Sequence, residues 1–150
     1  MSSNGTTTTI PTTGIAFTSS GFPAPIQGYD IHVYFFQSDP SSLLRAKSLH
    51  TELRQSFPQL TVYDVIPKPV GPHATGMFQA YIHTPEEFAL VVPWISLNRH
   101  GLSILVHPHT GDHVKDHSEH AIWIGERLPV NLDILRQLSQ PGQFVNWVKS

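Results

Sequence analysis

The sequence predicts an α+β domain with the ferredoxin-like split β-α-β pattern and an extra C-terminal strand. Segments rich in β-branched and aromatic residues alternate with amphipathic segments in the order β-α-β-β-α-β. Both long amphipathic segments open with a capping residue followed by proline, at Asp39-Pro40 and Thr84-Pro85. Two helices can cover only one face of the sheet. We therefore expect a dimeric, β-barrel-like assembly in which a partner's sheet covers the other face.

Each element follows from its local pattern. YDIHVYFF is dense in strand-forming residues, and LTVYDVIP, MFQAYIH, LSILVH and HAIWIG resemble it. The predicted strands are 29–36, 60–67, 77–83, 102–107 and 120–125. The predicted helices are 41–57, 85 to about 98, and 132–139, since apolar residues recur there at helical spacing. Pro93 should kink the second helix or divide it in two.

The two ends of the chain differ in composition. Residues 1–26 are rich in Ser, Thr, Gly and Pro, and carry too few apolar side chains to offset the entropy of ordering. We expect a disordered, dispensable tail over 1–26 and a ferredoxin-like domain over 27–150.

Composition excludes several classes of protein. A chain of 150 residues suits one domain, and its net charge of −2 argues against nucleic-acid and membrane partners. The absence of cysteine excludes disulfides, thiolate metal sites and iron–sulfur clusters. The first residues do not resemble a secretory signal, so we expect a cytoplasmic protein.

Ten histidines are the unusual feature, and five of them fall between His107 and His120. Because side chains alternate along a strand, His32 and Tyr34 share one sheet face, and His107 should lie on that face of a neighbouring strand. His73 follows Pro72 at the rim. Three neutral imidazoles, or two with a carboxylate, suit a non-haem Fe(II) site, but hydrogen-bonded structural histidines remain the alternative.

The sequence resembles the fungal and bacterial DOPA 4,5-dioxygenase family. The matching stretches are YDIHVYFF (29–36), the helix ending at Phe57, GPH (71–73), MFQAYI (77–82), WISLNRHGLSILVHPHTG (94–111) and DHSEHAIWIGERLPV (116–130). The resemblance implies a dimeric ferredoxin-like fold and makes 27–150 a ferredoxin-like dioxygenase domain. It also implies extradiol cleavage of a catechol such as L-DOPA by Fe(II) and O2, giving a seco-DOPA semialdehyde. Zinc or nickel could replace iron in a crystal.

On this resemblance, we expect His32, His73 and His107 to bind the metal. His117, reaching in from a loop, is the better acid/base candidate, and His120 a supporting catalytic residue on the extended segment that follows. Candidate substrate contacts are Tyr34, Tyr81 and Arg99. A carboxylate ligand is not obvious, and the candidates considered are Asp116, Glu119 and Glu126. The competing interpretations are a non-catalytic or structural-zinc protein and an oxygenase acting on a different small aromatic.

Overall fold

A computed structural model describes residues 10–138 of the chain. The strands are Tyr29–Phe35 (β1), Thr61–Val62 (β2), Gly76–Ile82 (β3), Ile104–Pro108 (β4) and Ile122–Ile124 (β5). The helices of this part are Pro40–Ser56 (α1), Pro85–Asn98 (α2), His113–Asp116 (α3) and Leu132–Leu138 (α4). The expectations for residues 1–9 and 139–150 lie outside the described residues.

The five strands form one antiparallel sheet in the order β2-β3-β1-β4-β5. The first four strands and the two long helices thus follow the predicted split β-α-β order, with β5 as the extra strand beside β4. This confirms the α+β class. The dimeric, barrel-like assembly stays a prediction.

Alternation along the strands separates two chemically different faces. Ile31, Val33 and Phe35 of β1 face the main core with the corresponding residues of β3 and β4, and the buried side of α1 and α2 packs there. His32 and Tyr34 therefore point to the opposite face, as the sequence predicted.

The capping residues that the sequence predicted for the two long helices, Asp39 and Thr84, form N-caps in the structure. Oδ1 of Asp39 accepts a hydrogen bond from the N–H of Ser41 at the start of α1. At α2, the hydroxyl of Thr84 accepts from the N–H of Glu87, whose carboxylate accepts from the N–H of His83. Pro93 lies inside a single helix, so it does not divide α2.

Two segments differ from their predictions. The second strand is regular only over Thr61–Val62, because pairing with β3 is interrupted before it resumes in a bridge between Ile66 and Met77. The polar loop after β4 contains the short helix α3, whose first turn is closed by the Asp112 carboxylate accepting from the N–H of Lys115.

The chain itself covers the centre of the second sheet face. Tyr34, Met77 and Leu105 are buried there. The segments that pack against them contribute Tyr63, Ile66, Ala121, Trp123, Leu128 and Val130. The exposed apolar face that motivated the homodimer prediction is therefore smaller than expected, although Phe36 at its edge is 55% exposed.

The residues just before β1 pack on the domain. Phe22 is only 4% exposed and contacts the rings of Tyr29 and Phe88 edge-on. The hydroxyl of Thr18 donates to the carbonyl of Ile26. Packing contacts therefore begin before residue 27, where the predicted domain boundary falls.

No helix within residues 10–138 has both the length and the apolar character required to cross a bilayer.

Candidate metal centre

Strands β1 and β4 bring three polar groups together at the centre of the second face. Asp30 pairs with His107 across the antiparallel ladder, and His32 pairs with Leu105. The Nε2 atoms of His32 and His107 are 3.0 Å apart. Oδ2 of Asp30 lies 3.5 Å from Nε2 of His107 and 3.9 Å from Nε2 of His32.

His73 reaches the same place from the turn between β2 and β3. Its N–H donates to the carbonyl of Val70, and it forms a bridge with Val130. Its ring centroid lies 4.1 Å from that of His32. Its Nδ1 lies 2.7 Å from the hydroxyl of Tyr34, so the tyrosine fixes the orientation of the imidazole.

His117 enters from the end of α3. It is the C-cap residue of that helix, and its Nδ1 donates to the carbonyl of His113 at 2.8 Å. Its ring centroid is 3.9 Å from that of His107 and 6.3 Å from that of His32. The structure thus gathers His32, His73, His107 and His117 into one cluster, called the histidine cluster below.

His120 does not join the histidine cluster. The backbone turns after α3 instead of extending, and β5 begins only at Ile122. Nδ1 of His120 donates to Oδ1 of Asp116, and its side chain is 40% exposed. Asp116 also accepts hydrogen bonds from the N–H and the hydroxyl of Thr110. His120 therefore helps to close the loop through its bond to Asp116, and it does not lie on an extended strand as expected.

Burial keeps the histidine cluster neutral. Its four residues are between 2% and 8% exposed. Burial is the main cause that lowers the pKa of His32 and of His107 well below the ordinary value, and neighbouring imidazoles add to the effect. Burial lowers the pKa of His73 to about 3, and also lowers that of His117. Neutral imidazole is the form that binds metals.

Hydrogen bonds select the tautomer at two positions. Nδ1 of His107 lies 3.1 Å from the carbonyl of Pro108, and Nδ1 of His117 faces the carbonyl of His113. Because a carbonyl can only accept, each Nδ1 carries the proton, and each Nε2 presents a lone pair. A backbone acceptor on the outer nitrogen is the usual support of a metal-binding histidine.

The residues present fit a divalent metal. Two groups of ligand atoms lie within 4.8 Å of one another, His32 with His73 and His117, and Asp30 with His32 and His107. Within residues 10–138, Oδ1 of Asp30 and Nδ1 of His32 are buried without a hydrogen-bond partner. Buried polar atoms without a partner are costly, and a bound cation would offset that cost.

Asp30 is a buried carboxylate that the sequence analysis did not consider as a candidate ligand. Of the three carboxylates that the sequence analysis considered, Glu119 and Glu126 are exposed. The third, Asp116, accepts hydrogen bonds from Thr110 and His120. The signal was present, because Asp30 stands two residues before His32 and therefore on the same strand face.

His109 and Tyr81 flank Asp30 on its more open side. Nε2 of His109 lies 3.0 Å from Oδ2 of Asp30, close enough for an ion pair. The angle between the two groups does not suit a hydrogen bond, so this nitrogen has no hydrogen-bond partner among the described residues. Burial lowers the pKa of His109, but the Asp30 carboxylate more than compensates, so this pKa is raised. Tyr81 pairs with Asp30 across β1 and β3, and its ring centroid is 5.5 Å from that of His109.

The other two predicted substrate contacts are placed differently. Tyr34 is 3% exposed and is occupied with His73. Arg99 donates to the carbonyl of Leu102 before β4. Leu102 precedes His107 by five residues, or about 16 Å of extended chain, so the structure does not bring Arg99 to the histidine cluster.

A neutral histidine cluster beside a carboxylate, on an α+β sheet, offers groups of side chains that could hold a metal ion. The model of the Dopa 4,5-dioxygenase family matches residues 29–134, and the chain belongs to this family of dioxygenases.

Individual relatives agree with the family. The chain is 36% identical over 153 aligned residues to an "uncharacterized 21.2 kDa protein" of Botryotinia fuckeliana, covering 93% of this chain and 84% of that one. It is 34% identical to the DOPA 4,5-dioxygenase of Amanita muscaria over 71% of this chain, which spans 49% of that enzyme. The crystal structure of a "putative dioxygenase" from Nostoc punctiforme is 43% identical, with a TM-score of 0.69, over 75% of this chain and 94% of the other.

Proposed function

We propose that this protein is a metal-dependent extradiol dioxygenase that opens the ring of a catechol such as L-DOPA with O2, yielding a seco-DOPA semialdehyde. The observation that carries the proposal is the buried, neutral histidine cluster at the centre of a sheet face, in a chain of this dioxygenase family. A structural role alone does not require four imidazoles whose charged forms are all suppressed by burial.

Fe(II) is the metal we propose. When bound, it would supply the Lewis acidity that lowers the pKa of catechol hydroxyls and the electrons that O2 requires. His32 belongs to both candidate ligand groups and is therefore the central ligand of the proposal, whereas the predicted ligands His73 and His107 fall in different groups.

The chain's own residues would manage the protons. The lone pair on Nε2 of His117 can accept a proton from a catechol hydroxyl, and the lowered pKa keeps this imidazole in its basic form at neutral pH. The protonated imidazole can return the proton later in the reaction. Tyr34 holds the ring of His73 in place, and burial raises the pKa of Tyr34, so its hydroxyl stays protonated.

Apolar neighbours would keep water from the reacting groups. Met77 and Leu105 are fully buried on the same sheet face as His32. Tyr81 and His109, beside Asp30, lie on the more exposed side of the site, where we propose that the catechol ring enters. Apolar side chains that exclude water lower the local dielectric constant and thereby strengthen the electrostatic interactions within the site.

Oxygen consumption tests the proposal directly. Protein loaded anaerobically with Fe(II) should consume O2 and form a yellow product when a panel of catechols, including L-DOPA, is added. The same protein loaded with Zn(II) is the matched control and should do neither. Lack of O2 uptake with every catechol by the iron-loaded protein would instead support a structural or non-catalytic role. Uptake with a small aromatic other than a catechol would support a different oxygenase.

We also propose a homodimer. The chain covers the centre of its own second face, so the family resemblance and exposed edge residues such as Phe36 are what support a dimer. Light scattering at micromolar concentration should give twice the chain mass, and a monomeric mass would exclude the dimer.

A further inference from the structure

We infer that Asp30, His32 and His107 together form the metal-ligand set, with the Asp30 carboxylate as the third ligand instead of the predicted His73. The inference rests on the proposed function in one respect, that a divalent metal is bound. It adds a ligand from β1 that neither the motifs nor the comparisons assign.

The three ligand atoms have the spacing that a metal requires. Oδ2 of Asp30 and the two Nε2 atoms form a triangle with sides of 3.0, 3.5 and 3.9 Å. The centre of this triangle is about 2.0 Å from each atom, which equals common metal–nitrogen and metal–oxygen bond lengths. Two nitrogens bound at about 2.1 Å and at a right angle are also about 3.0 Å apart, as the two Nε2 atoms are.

The lone pairs point to the same conclusion. Nε2 of His107 has a lone pair, because Nδ1 uses its proton on the carbonyl of Pro108. Nε2 of His32 faces that lone pair. A proton on Nε2 of His32 would join the two rings, but it would leave Oδ2 of Asp30 without a hydrogen bond to either ring, at 3.9 Å from Nε2 of His32 and 3.5 Å from Nε2 of His107. A cation beside Asp30 meets the demand of the carboxylate and of both imidazoles at once.

The backbone favours this group over the one formed by His32, His73 and His117. Asp30, His32 and His107 stand on two strands whose hydrogen-bonded ladder fixes their relative positions. His73 comes from a turn and His117 from the end of a four-residue helix. Ligands on paired strands are held more exactly than ligands on loops. His73 and His117 are then left beside the metal, where substrate and protons are handled.

The test uses Co(II) and Cu(II) as probes on the full chain, so it does not depend on catalytic activity. Asp30→Asn should weaken Co(II) binding by more than the ~10–100-fold that loss of an outer partner typically costs. Asp116→Asn is the matched control, since Asp116 is a second buried carboxylate that contacts a histidine. Asp116 contacts His120 and none of the three proposed ligands, so this variant should lose less Co(II) affinity than the ~10-fold that loss of an outer partner costs at the least.

A second measurement needs no variant and is unaffected by misfolding. Pulsed electron paramagnetic resonance of the Cu(II)-loaded protein should count two imidazole ligands. Three imidazoles, or undiminished Co(II) affinity in a folded Asp30→Asn protein, would overturn the inference. Absence of Co(II) binding in the unaltered protein would overturn the inference and the iron-dependent mechanism together. Two imidazoles in a protein that consumes no O2 would leave the ligand set standing and remove only the proposed activity.

Discussion

At the scale of single residues, the contact between Tyr34 and His73 has a measurable consequence. Tyr34→Phe removes the hydroxyl that lies 2.7 Å from Nδ1 of His73 and leaves that buried nitrogen without its partner. An unsatisfied buried polar group costs about 1–3 kcal/mol. We therefore expect the free energy of unfolding, measured in urea, to fall by about that amount.

Tyr63→Phe provides the control for this change. Tyr63 is half-buried and packs on the same apolar cluster as Tyr34. Its loss of a hydroxyl should change the free energy of unfolding by less than about 0.5 kcal/mol. Equal effects of the two substitutions would show that the bond to His73 contributes nothing specific.

His117→Ala separates the acid/base role from metal binding. Without the Nε2 lone pair the proton transfer loses its acceptor, so turnover should fall at least ~100-fold, within the range of general acid–base catalysis. The variant should still bind Fe(II) in the unaltered stoichiometry, as measured by metal analysis after desalting.

His113→Ala is the matched variant for that experiment. His113 holds His117 through its backbone carbonyl, which the substitution keeps. Turnover should therefore remain within a few-fold of the unaltered enzyme. Loss of iron from His117→Ala would contradict the acid/base role and favour the ligand group of His32, His73 and His117.

Residue placement could be predicted from the sequence only where strand alternation decides it. His32 and His107 were located correctly because each follows the period of two along its strand. Asp30 obeys the same rule, but a carboxylate at a strand start is normally solvated, and nothing local shows that it is buried. The contact of Arg99 with the carbonyl of Leu102 was not predictable, because a backbone acceptor leaves no signal in the sequence.

At the scale of elements, the N-cap of α2 tests whether a single capping residue stabilises the start of the helix. The hydroxyl of Thr84 accepts from the N–H of Glu87. Thr84→Ala should lower the free energy of unfolding by about 0.5–2 kcal/mol, because the first turn of the helix loses its side-chain acceptor. Thr84→Ser keeps the acceptor and should recover most of that loss in the same urea titration. Equal destabilisation by both substitutions would point to the methyl group instead.

The long helices could be predicted closely because caps and apolar spacing are properties of neighbouring residues. The predicted ranges 41–57 and 85–98 lie within one residue of α1 and α2. The short α3 was missed because four residues carry no periodic pattern. Its position depends on distant contacts, including the buried Asp116 carboxylate that binds Thr110. That missed turn also explains why His120 points away from the cluster that His117 joins.

At the scale of the whole molecule, the sheet explains why a metal site can form without loops from a second chain. The main core holds β1 and β4 from one side, and the segments after α3 cover them from the other. The side chains that we propose as ligands, on the neighbouring strands β1 and β4, are thereby buried. Pairing between strands distant in the sequence, such as β1 with β4, sets the topology. The sequence predicted the order of helices and strands but not the register of this pairing.

The segment before β1 contributes a buried side chain to the core, so the stability of the domain should depend on it. Composition predicted that residues 1–26 are dispensable, whereas Phe22 is buried against Tyr29 and Phe88. Phe22→Ala should lower the free energy of unfolding by about 3 kcal/mol, the lower end for a core phenylalanine, since the site lies at the edge of the core.

A chain that starts at Gln27 should lose at least as much stability as Phe22→Ala, because it also lacks the contact of Thr18 with Ile26. Phe17→Ala is the control, since Phe17 is 49% exposed and its removal should cost less than about 1 kcal/mol. Thermal and urea unfolding of the three proteins would measure the difference. An unchanged midpoint in the shortened chain would restore the boundary at residue 27 and show that the core closes without Phe22.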